Sequence, residues 1–311
     1  MTPAGPSRGS RRGSSGGARS RPRQDQPPEP PEYLRRLGVT PRKALGQNFL
    51  IDELTLAAIA DACELDESST VLEVGSGPGG LTEELAQRAQ RVVAVELDEE
   101  LVALARRRLA GHPGVSIVAA DVLDFTPVEL LEEGGAAAPY VACGNLPYYI
   151  TQPIVRRMLE AEVPPQRLII MTQREVARRI VGGPGQESLL SMTVRLYGTA
   201  EPVLDVPASA FWPQPKVQSS MIRIVQLPEP AVPHAVIERF TNLLRAGFAE
   251  PRKQLHNTLR SALGISREET AAILEAGAID PARRAQHLDL DDWQRLYELV
   301  DERHPRALDA H

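Results

Sequence analysis

The chain has 311 residues, 42% of them hydrophobic and 24% charged, with a formal net charge of −6. Those proportions exclude a wholly disordered or collagen-like chain, and the lack of any apolar run of about 18 residues argues against a membrane-spanning helix. Two cysteines far apart in sequence, Cys63 and Cys143, argue against a disulfide scaffold and a cysteine-rich zinc site, and fit a cytoplasmic protein with reduced thiols.

Residues 1–43 carry ten basic and three acidic side chains, so this segment is +7 and the remainder −13. A basic arm on an acidic body reads either as a solvated tail or as a polyanion-binding arm, because each cation near a phosphate displaces a counterion. Residues 1–31 are rich in Gly, Ser, Pro and Arg and are expected to be a disordered basic tail. They hold no apolar stretch of the signal-peptide kind. Asp52 is a predicted N-cap for a helix carrying Leu54, Ala57, Ala58 and Ile59. Apolar runs and helical stretches then alternate. Strands are expected at Val71–Val74, Val92–Glu96, Val115–Ala120, Tyr140–Cys143 and Leu168–Thr172. Helices are expected at Leu81–Ala89, Glu99–Leu109, from about Gln152, at Glu175–Val181 and at Ser188–Tyr197. Near-continuous apolar strands separated by helices imply a parallel sheet covered on both faces. Two later strands, Ala200–Val206 and Met221–Val225, are joined by the proline-rich Pro207–Pro215 and read as an antiparallel hairpin at the edge. The predicted fold class is α/β, a Rossmann-like, doubly wound seven-stranded sheet with a small all-α C-terminal domain. Gln226–Pro233 reads as a linker. After it come a helix over Ala235–Phe248, a second opening with Pro251 at its first position, a third behind the capping box Ser266–Glu269, a turn at Asp280–Pro281, and a last amphipathic helix through Trp293, Leu296, Tyr297 and Val300. The implied domains are 1–31 (tail), 32–228 and 229–305.

The first strand runs into Gly75-Ser76-Gly77-Pro78-Gly79-Gly80 and then a helix. Glycine lets the backbone turn sharply and approach a ligand closely. Glu96 ends the next strand, where a carboxylate accepts hydrogen bonds from ribose hydroxyls. This much suits a nicotinamide dinucleotide as well as S-adenosylmethionine, and a bare strand–helix turn is the plainer reading. Asp121, after the third strand, stands where a carboxylate can take an adenine amino group, which favours the methyl donor. The sheet then delivers Asn145-Leu146-Pro147-Tyr148 at the end of the fourth strand. Methylating an exocyclic adenine amine requires its lone pair to be drawn out of conjugation. An amide oxygen (Asn145) and a main-chain carbonyl (Leu146) can hold the two amino hydrogens while Pro147 stiffens the turn and Tyr148 stacks on the base. Such catalysis works by positioning and electrostatics, with no protein nucleophile. An Asn-x-Pro turn that merely ends a strand is the plainer alternative. Its place after the glycine loop, Glu96 and Asp121 sets that alternative aside.

On these motifs the chain resembles the ribosomal RNA adenine N6,N6-dimethyltransferases, specifically the bacterial type acting on 16S rRNA, over about residues 33–302. Leu45-Gly46-Gln47-Asn48-Phe49-Leu50 is similar to the family's segment ahead of the sheet, and Phe211-Trp212-Pro213-Gln214-Pro215-Lys216-Val217-Gln218-Ser219 to its FxPxPxVxS segment. The resemblance implies that Asn48, Leu50, Gly75, Gly77, Glu96, Asp121 and Asn145 bind S-adenosylmethionine. It also implies that Phe211 flanks the target adenine opposite Tyr148; from the residue alone, Phe211 reads as an aromatic core position. The implied reaction is dimethylation of two adjacent adenosines in a hairpin loop near the 3′ end of 16S rRNA, in a precursor of the small ribosomal subunit. Arg252-Lys253-Gln254-Leu255-His256-Asn257 and the segment leading to Trp293 resemble the helical domain of the small-subunit enzymes. Lys43, Lys216, Arg252 and Lys253 are candidate RNA phosphate contacts. The six histidines lack metal-ligand spacing, so no metal is expected, and a monomer is. Alternatives are a large-subunit rRNA adenine methyltransferase of the macrolide-resistance type, a non-catalytic RNA-binding assembly or transcription factor on the same fold, and, ranked last, an NAD-dependent oxidoreductase.

Overall fold

The computed structural model describes residues 1, 30–42, 46–147 and 149–309. Most of the expected tail, Lys43 and Tyr148 therefore lie outside the described residues. In chain order the elements are α1 (Glu32–Arg36), β1 (Phe49–Leu50), α2 (Glu53–Ala62), β2 (Thr70–Val74), α3 (Gly80–Ala86), β3 (Arg91–Glu96), α4 (Glu99–Arg108), β4 (Val115–Ala119), α5 (Pro127–Glu133), β5 (Val141–Asn145), α6 (Thr151–Leu159), β6 (Arg167–Gln173), α7 (Arg174–Val181), α8 (Leu189–Tyr197), β7 (Gly198–Val206), β8 (Phe211–Trp212), β9 (Ser219–Gln226), α9 (Ile237–Phe248), α10 (Leu255–Leu263), α11 (Arg267–Ala276) and α12 (Leu290–Arg303). Among them no helix is long and apolar enough to cross a membrane.

Among the described residues seven strands form one sheet in the order β4-β3-β2-β5-β6-β9-β7. The first five pair in parallel, and β9 lies antiparallel between β6 and β7. This is the expected α/β architecture with its antiparallel pair. The outermost strand, β7, is largely exposed and carries Glu201, Pro202 and Asp205, with a register shift between Pro202 and Leu204. Proline and charge on an edge strand block pairing with another chain.

Side-chain alternation divides the core between the two faces of the sheet. Along β2, Leu72 and Val74 join one cluster, which runs on through Ile154 and Leu196 to Phe240 and Trp293 in the helical region. Val71 joins the other, with Ile59, Leu85, Val92 and both free cysteines. The proline-rich segment after β9 is packed rather than extended. The Leu227 and Ala231 N–H groups donate to the Tyr197 and Leu196 carbonyls at 2.8 Å each.

Two expectations require correction, and one connection holds an unforeseen strand. The helix expected to open with Pro251 begins instead at Leu255, because residues 250–253 form a turn closed by the Lys253 N–H on the Glu250 carbonyl at 2.9 Å, and Leu255 N–H is held by the Arg283 carbonyl at 2.8 Å. Helix α3 stops at Ala86, short of the expected Ala89. The proline-rich connection between the late strands is not a bare loop: β8 within it pairs antiparallel with β1, Phe49 opposite Trp212 and Leu50 opposite Phe211. Helix α5, which was not expected, starts with a capping box of Thr126 and Glu129.

Candidate active site

The carboxyl ends of β2, β3, β4 and β5 open into one cavity, the place where open α/β sheets bind ligands. Gly75, Gly77, Glu96, Asp121, Asn145, Leu146 and Pro147 all line it, together with Asn48 from the segment ahead of β1.

The glycine loop after β2 needs its glycines. Gly75, Gly77 and Gly79 have φ of 78°, 53° and 84°. That left-handed backbone strains any side chain, and a Cβ on Gly77 would also stand 3.3 Å from the Phe49 ring. The loop is fastened to β3: the Gly75 N–H donates to the Val95 carbonyl at 2.8 Å, and the Gly77 N–H to Glu96 Oε2 at 2.9 Å. The other oxygen, Glu96 Oε1, accepts from the Asp98 N–H at 2.9 Å. Burial holds the Glu96 pKa above the usual carboxylate value, and the N–H groups of Asp98 and Gly77 offset only part of that rise. Each carboxylate oxygen has one such bond and a further lone pair, which suits the two hydroxyls of a ribose. Val95, Leu97, Leu101, Val122 and Leu123 give the cavity apolar walls. Asp121 lines it as a second carboxylate, its Oδ1 accepting from the Leu123 N–H at 3.0 Å. A flat heterocycle bearing an amino group fits between such walls with its amine toward the carboxylate. This set of acceptors thus fits the hydroxyls and amine of an adenosine.

Asn145 closes β5. Its Nδ2 donates to the Asn48 carbonyl at 3.1 Å. A carbonyl only accepts, so this contact fixes which way the amide faces and leaves Oδ1 as the acceptor on the other side. Asn48 is held in turn, its Nδ2 donating to the Gly46 carbonyl at 2.9 Å. The residue before Asn145 must be glycine, because a Cβ on Gly144 would stand 2.3 Å from the Val74 carbonyl oxygen. Leu146 spends its N–H on the Met171 carbonyl at 3.1 Å, and the Pro147 carbonyl accepts from Ile150 N–H at 3.1 Å and Thr151 Oγ1 at 3.2 Å. The turn bearing Asn-Leu-Pro is therefore anchored to β6 and α6.

Other expected site residues are not brought to the cavity. Phe211 is 2% exposed, packs in the core cluster with Ile59, Leu85 and Met221, and does not line the cavity. Leu50, its partner across β1 and β8, is buried in the same cluster, while its neighbour Phe49 reaches the cavity. Lys216, Arg252 and Lys253 are exposed and none lines the cavity; Lys253 Nζ pairs with Glu250 at 2.6 Å. Four positions not singled out from sequence prove structural to the site: Gln47, Phe49, Asp98 and Gly144. The first two sit in the segment quoted for the resemblance. Asp98 carried only the signal of a helix N-cap.

The match to the family model for ribosomal RNA adenine dimethylase extends over residues 38–302. The chain belongs to the ribosomal RNA adenine dimethylase family. As a dimethylase of this family it is an rRNA adenine dimethyltransferase, which removes the oxidoreductase and the non-catalytic readings. It is 43% identical over 256 residues to the ribosomal RNA small subunit methyltransferase A of Dehalococcoides mccartyi, covering 82% of this chain and 87% of the relative. It is 39% identical over 272 residues to the protein of the same name from Geobacillus thermodenitrificans, covering 85% and 92%. Among solved structures, the 23S rRNA methyltransferase ErmE superposes with a TM-score of 0.66 at 32% identity, covering 81% of this dimethylase and 99% of ErmE. A dimethyladenosine transferase from Plasmodium falciparum reaches 0.70 at 22% identity, covering 82% and 98%, and shows the shared fold.

Proposed function

We propose that the protein dimethylates N6 of two adjacent adenosines in the 3′-terminal hairpin loop of 16S rRNA, in small-subunit assembly intermediates, with S-adenosylmethionine as donor, and that it works as a monomer in the cytoplasm. The small-subunit relatives at 39–43% identity support the substrate class. The observation that carries the chemistry is the orientation of the Asn145 amide by the Asn48 carbonyl, at the rim of the cavity that also holds Glu96 and Asp121.

In this reading Glu96 accepts the donor's ribose hydroxyls, Asp121 accepts from its adenine amine, and the glycine loop leaves room for the rest. Bound S-adenosylmethionine supplies an electrophilic methyl group on sulfur. Asn145 Oδ1 and the Leu146 carbonyl accept the two N6 hydrogens of the target, which localises the lone pair on nitrogen and points it at that methyl group. Tyr148 supplies the stacking face. Residues 32–228 form the catalytic unit, and 229–305 the unit that meets RNA and ribosome, with Lys43, Lys216, Arg252 and Lys253 against phosphates.

The test is transfer of label from S-adenosylmethionine to isolated small-subunit particles. Wild type labels 16S rRNA, and Asn145→Ala falls by about 100-fold or more, the scale for losing one oriented polar group at a reacting centre. Equal labelling by both removes Asn145 from the mechanism. The likeness to ErmE favours a second reading, in which the substrate is large-subunit rRNA. With large-subunit rRNA offered beside the small-subunit particles, label on 23S rather than 16S rRNA would establish it, and mass spectrometry of rRNA from cells lacking the protein locates the missing dimethyladenosine.

A further inference from the structure

Asp98 sits at the corner between β3 and α4, 4% exposed, and does not line the cavity. Its Oδ1 caps α4 by accepting from the Glu100 N–H at 3.1 Å. A cap needs only one oxygen. The second, Oδ2, accepts from Gln47 Nε2 at 3.1 Å and lies 3.3 Å from Arg42 Nε. Gln47 Oε1 accepts from the Arg42 N–H at 2.7 Å, and the Arg42 guanidinium also pairs with Glu100 at 2.9 Å. The main-chain N–H of Asp98 donates to Glu96. Asp98 thus connects two parts of the site that are far apart in sequence, through its main-chain N–H on one side and its carboxylate on the other. On one side is Glu96, which is itself bonded to the glycine loop. On the other is the segment Gly46–Phe49, whose Asn48 carbonyl orients Asn145.

We propose that Asp98 is a positioning residue of the methyl-donor site: through Gln47 and Arg42 it holds the segment Gly46–Phe49 against the β3–α4 corner and so sets the spacing between Glu96 and the Asn48–Asn145 pair. A hydrogen bond to a buried charge is the strongest kind available for this. An uncharged amide at the same place would still cap α4, since Asn and Asp are equally good caps. It would, however, turn an N–H₂ toward the Gln47 amide N–H₂ and the Arg42 guanidinium, donors facing donors. The positioning is thereby separable from the cap.

The proposal rests on the cavity being the S-adenosylmethionine site, and the experiment keeps the two apart. S-adenosylhomocysteine is titrated calorimetrically into the full-length wild type, Asp98→Asn, Arg42→Leu, and the double variant Asp98→Asn with Gln47→Glu. In the double variant a carboxylate on the Gln47 side again accepts from the amide on the Asp98 side, so the bond returns with donor and acceptor exchanged. The expected result is a Kd raised about tenfold in Asp98→Asn and raised in Arg42→Leu, and restored to within about threefold of wild type in the double variant. In rRNA methylation the KM for donor follows the Kd while kcat changes less. If wild type itself does not bind S-adenosylhomocysteine, the donor reading fails. If wild type binds and Asp98→Asn binds equally well, with or without a lower melting temperature, Asp98 is only a cap and the proposal is overturned. A weakened Asp98→Asn that the second substitution leaves unrestored overturns it as well.

Discussion

Glu73 is a carboxyl group placed where water does not reach. It is 1% exposed on β2, and its Oε2 has no hydrogen-bond partner among the described residues. Burial pushes its pKa up to about 7. The folded protein therefore keeps a proton that the unfolded chain releases near pH 4.5, so stability falls as pH rises from about 4.5 to about 7 and stays reduced above that window. Glu73→Gln is expected to remove this slope. In urea titrations the variant should match wild type near pH 4.5 and exceed it by up to about 3 kcal/mol at pH 8. Parallel pH profiles for the two proteins would show that Glu73 titrates normally. Residues of this kind also mark the limit of what the sequence discloses. The positions of Glu96, Asp121 and Asn145 on one cavity were legible because polar side chains at strand ends have few structural uses and fall at regular points of an alternating pattern. Phe211 and Leu50 were not, because an apolar side chain has the same sequence signature in a core and against a ligand. Asp98 was not read from the sequence: its cap on α4 is a local signal, but its contact with Gln47 spans 51 positions and exists only once the chain has folded.

At the level of elements, local chemistry was readable wherever it was self-contained. Asp52 caps α2 as expected, its Oδ2 accepting from the Thr55 N–H at 2.9 Å, and Ser266 with Glu269 forms the expected reciprocal box at α11. That box lies on an exposed corner, with the Ser266 hydroxyl accepting from the Glu269 N–H at 3.1 Å. Ser266→Ala should lower global stability by about 1 kcal/mol and leave methyl transfer unchanged, measured by urea unfolding beside the labelling assay. A change below about 0.3 kcal/mol would mean that α11 is held by packing alone. Elements fixed from a distance escaped the reading. Strands β1 and β8 are two residues each, too short for any periodicity, and exist because each supplies the other's hydrogen-bond partners. The start of α10 is set by the Arg283 carbonyl, 28 positions downstream, and not by the proline that would have permitted an earlier start.

The whole molecule joins a sheet to a helical region, and what the interface between them does is testable with the two tryptophans the chain contains. Trp212 lies in β8, stacked with ring centroids 6.4 Å apart on Phe49, whose ring lies against Gly77 of the glycine loop. Trp293 lies in α12, fully buried against Phe248 at 5.6 Å, and so tightly seated that a Cβ on Gly247 would overlap its ring. The apolar cluster on one face of the sheet continues without a break into the helices around Trp293. Polar contacts reinforce the seam: Gln286 Nε2 donates to the Gly185 carbonyl at 3.0 Å, the Glu187 N–H donates to the Gln286 carbonyl at 3.2 Å, and Gln294 Nε2 reaches the Ala231 carbonyl at 2.9 Å. A packed core shared by two regions couples their unfolding, since opening either one exposes apolar surface on the other. Trp212→Phe leaves a fluorophore that reports the helical region, and Trp293→Phe one that reports the sheet. Each variant's urea transition, followed by its remaining tryptophan, should coincide with its own transition followed by far-ultraviolet circular dichroism, as coincident probes require of a single cooperative unit. Trp293→Phe keeps an aromatic ring in the core, so its midpoint should fall modestly while the transition remains single. If fluorescence from Trp293 is lost at a lower urea concentration than the fluorescence of Trp212 in the companion variant and the bulk of the circular dichroism, the helical region unfolds by itself, and the continuous core does not couple the two.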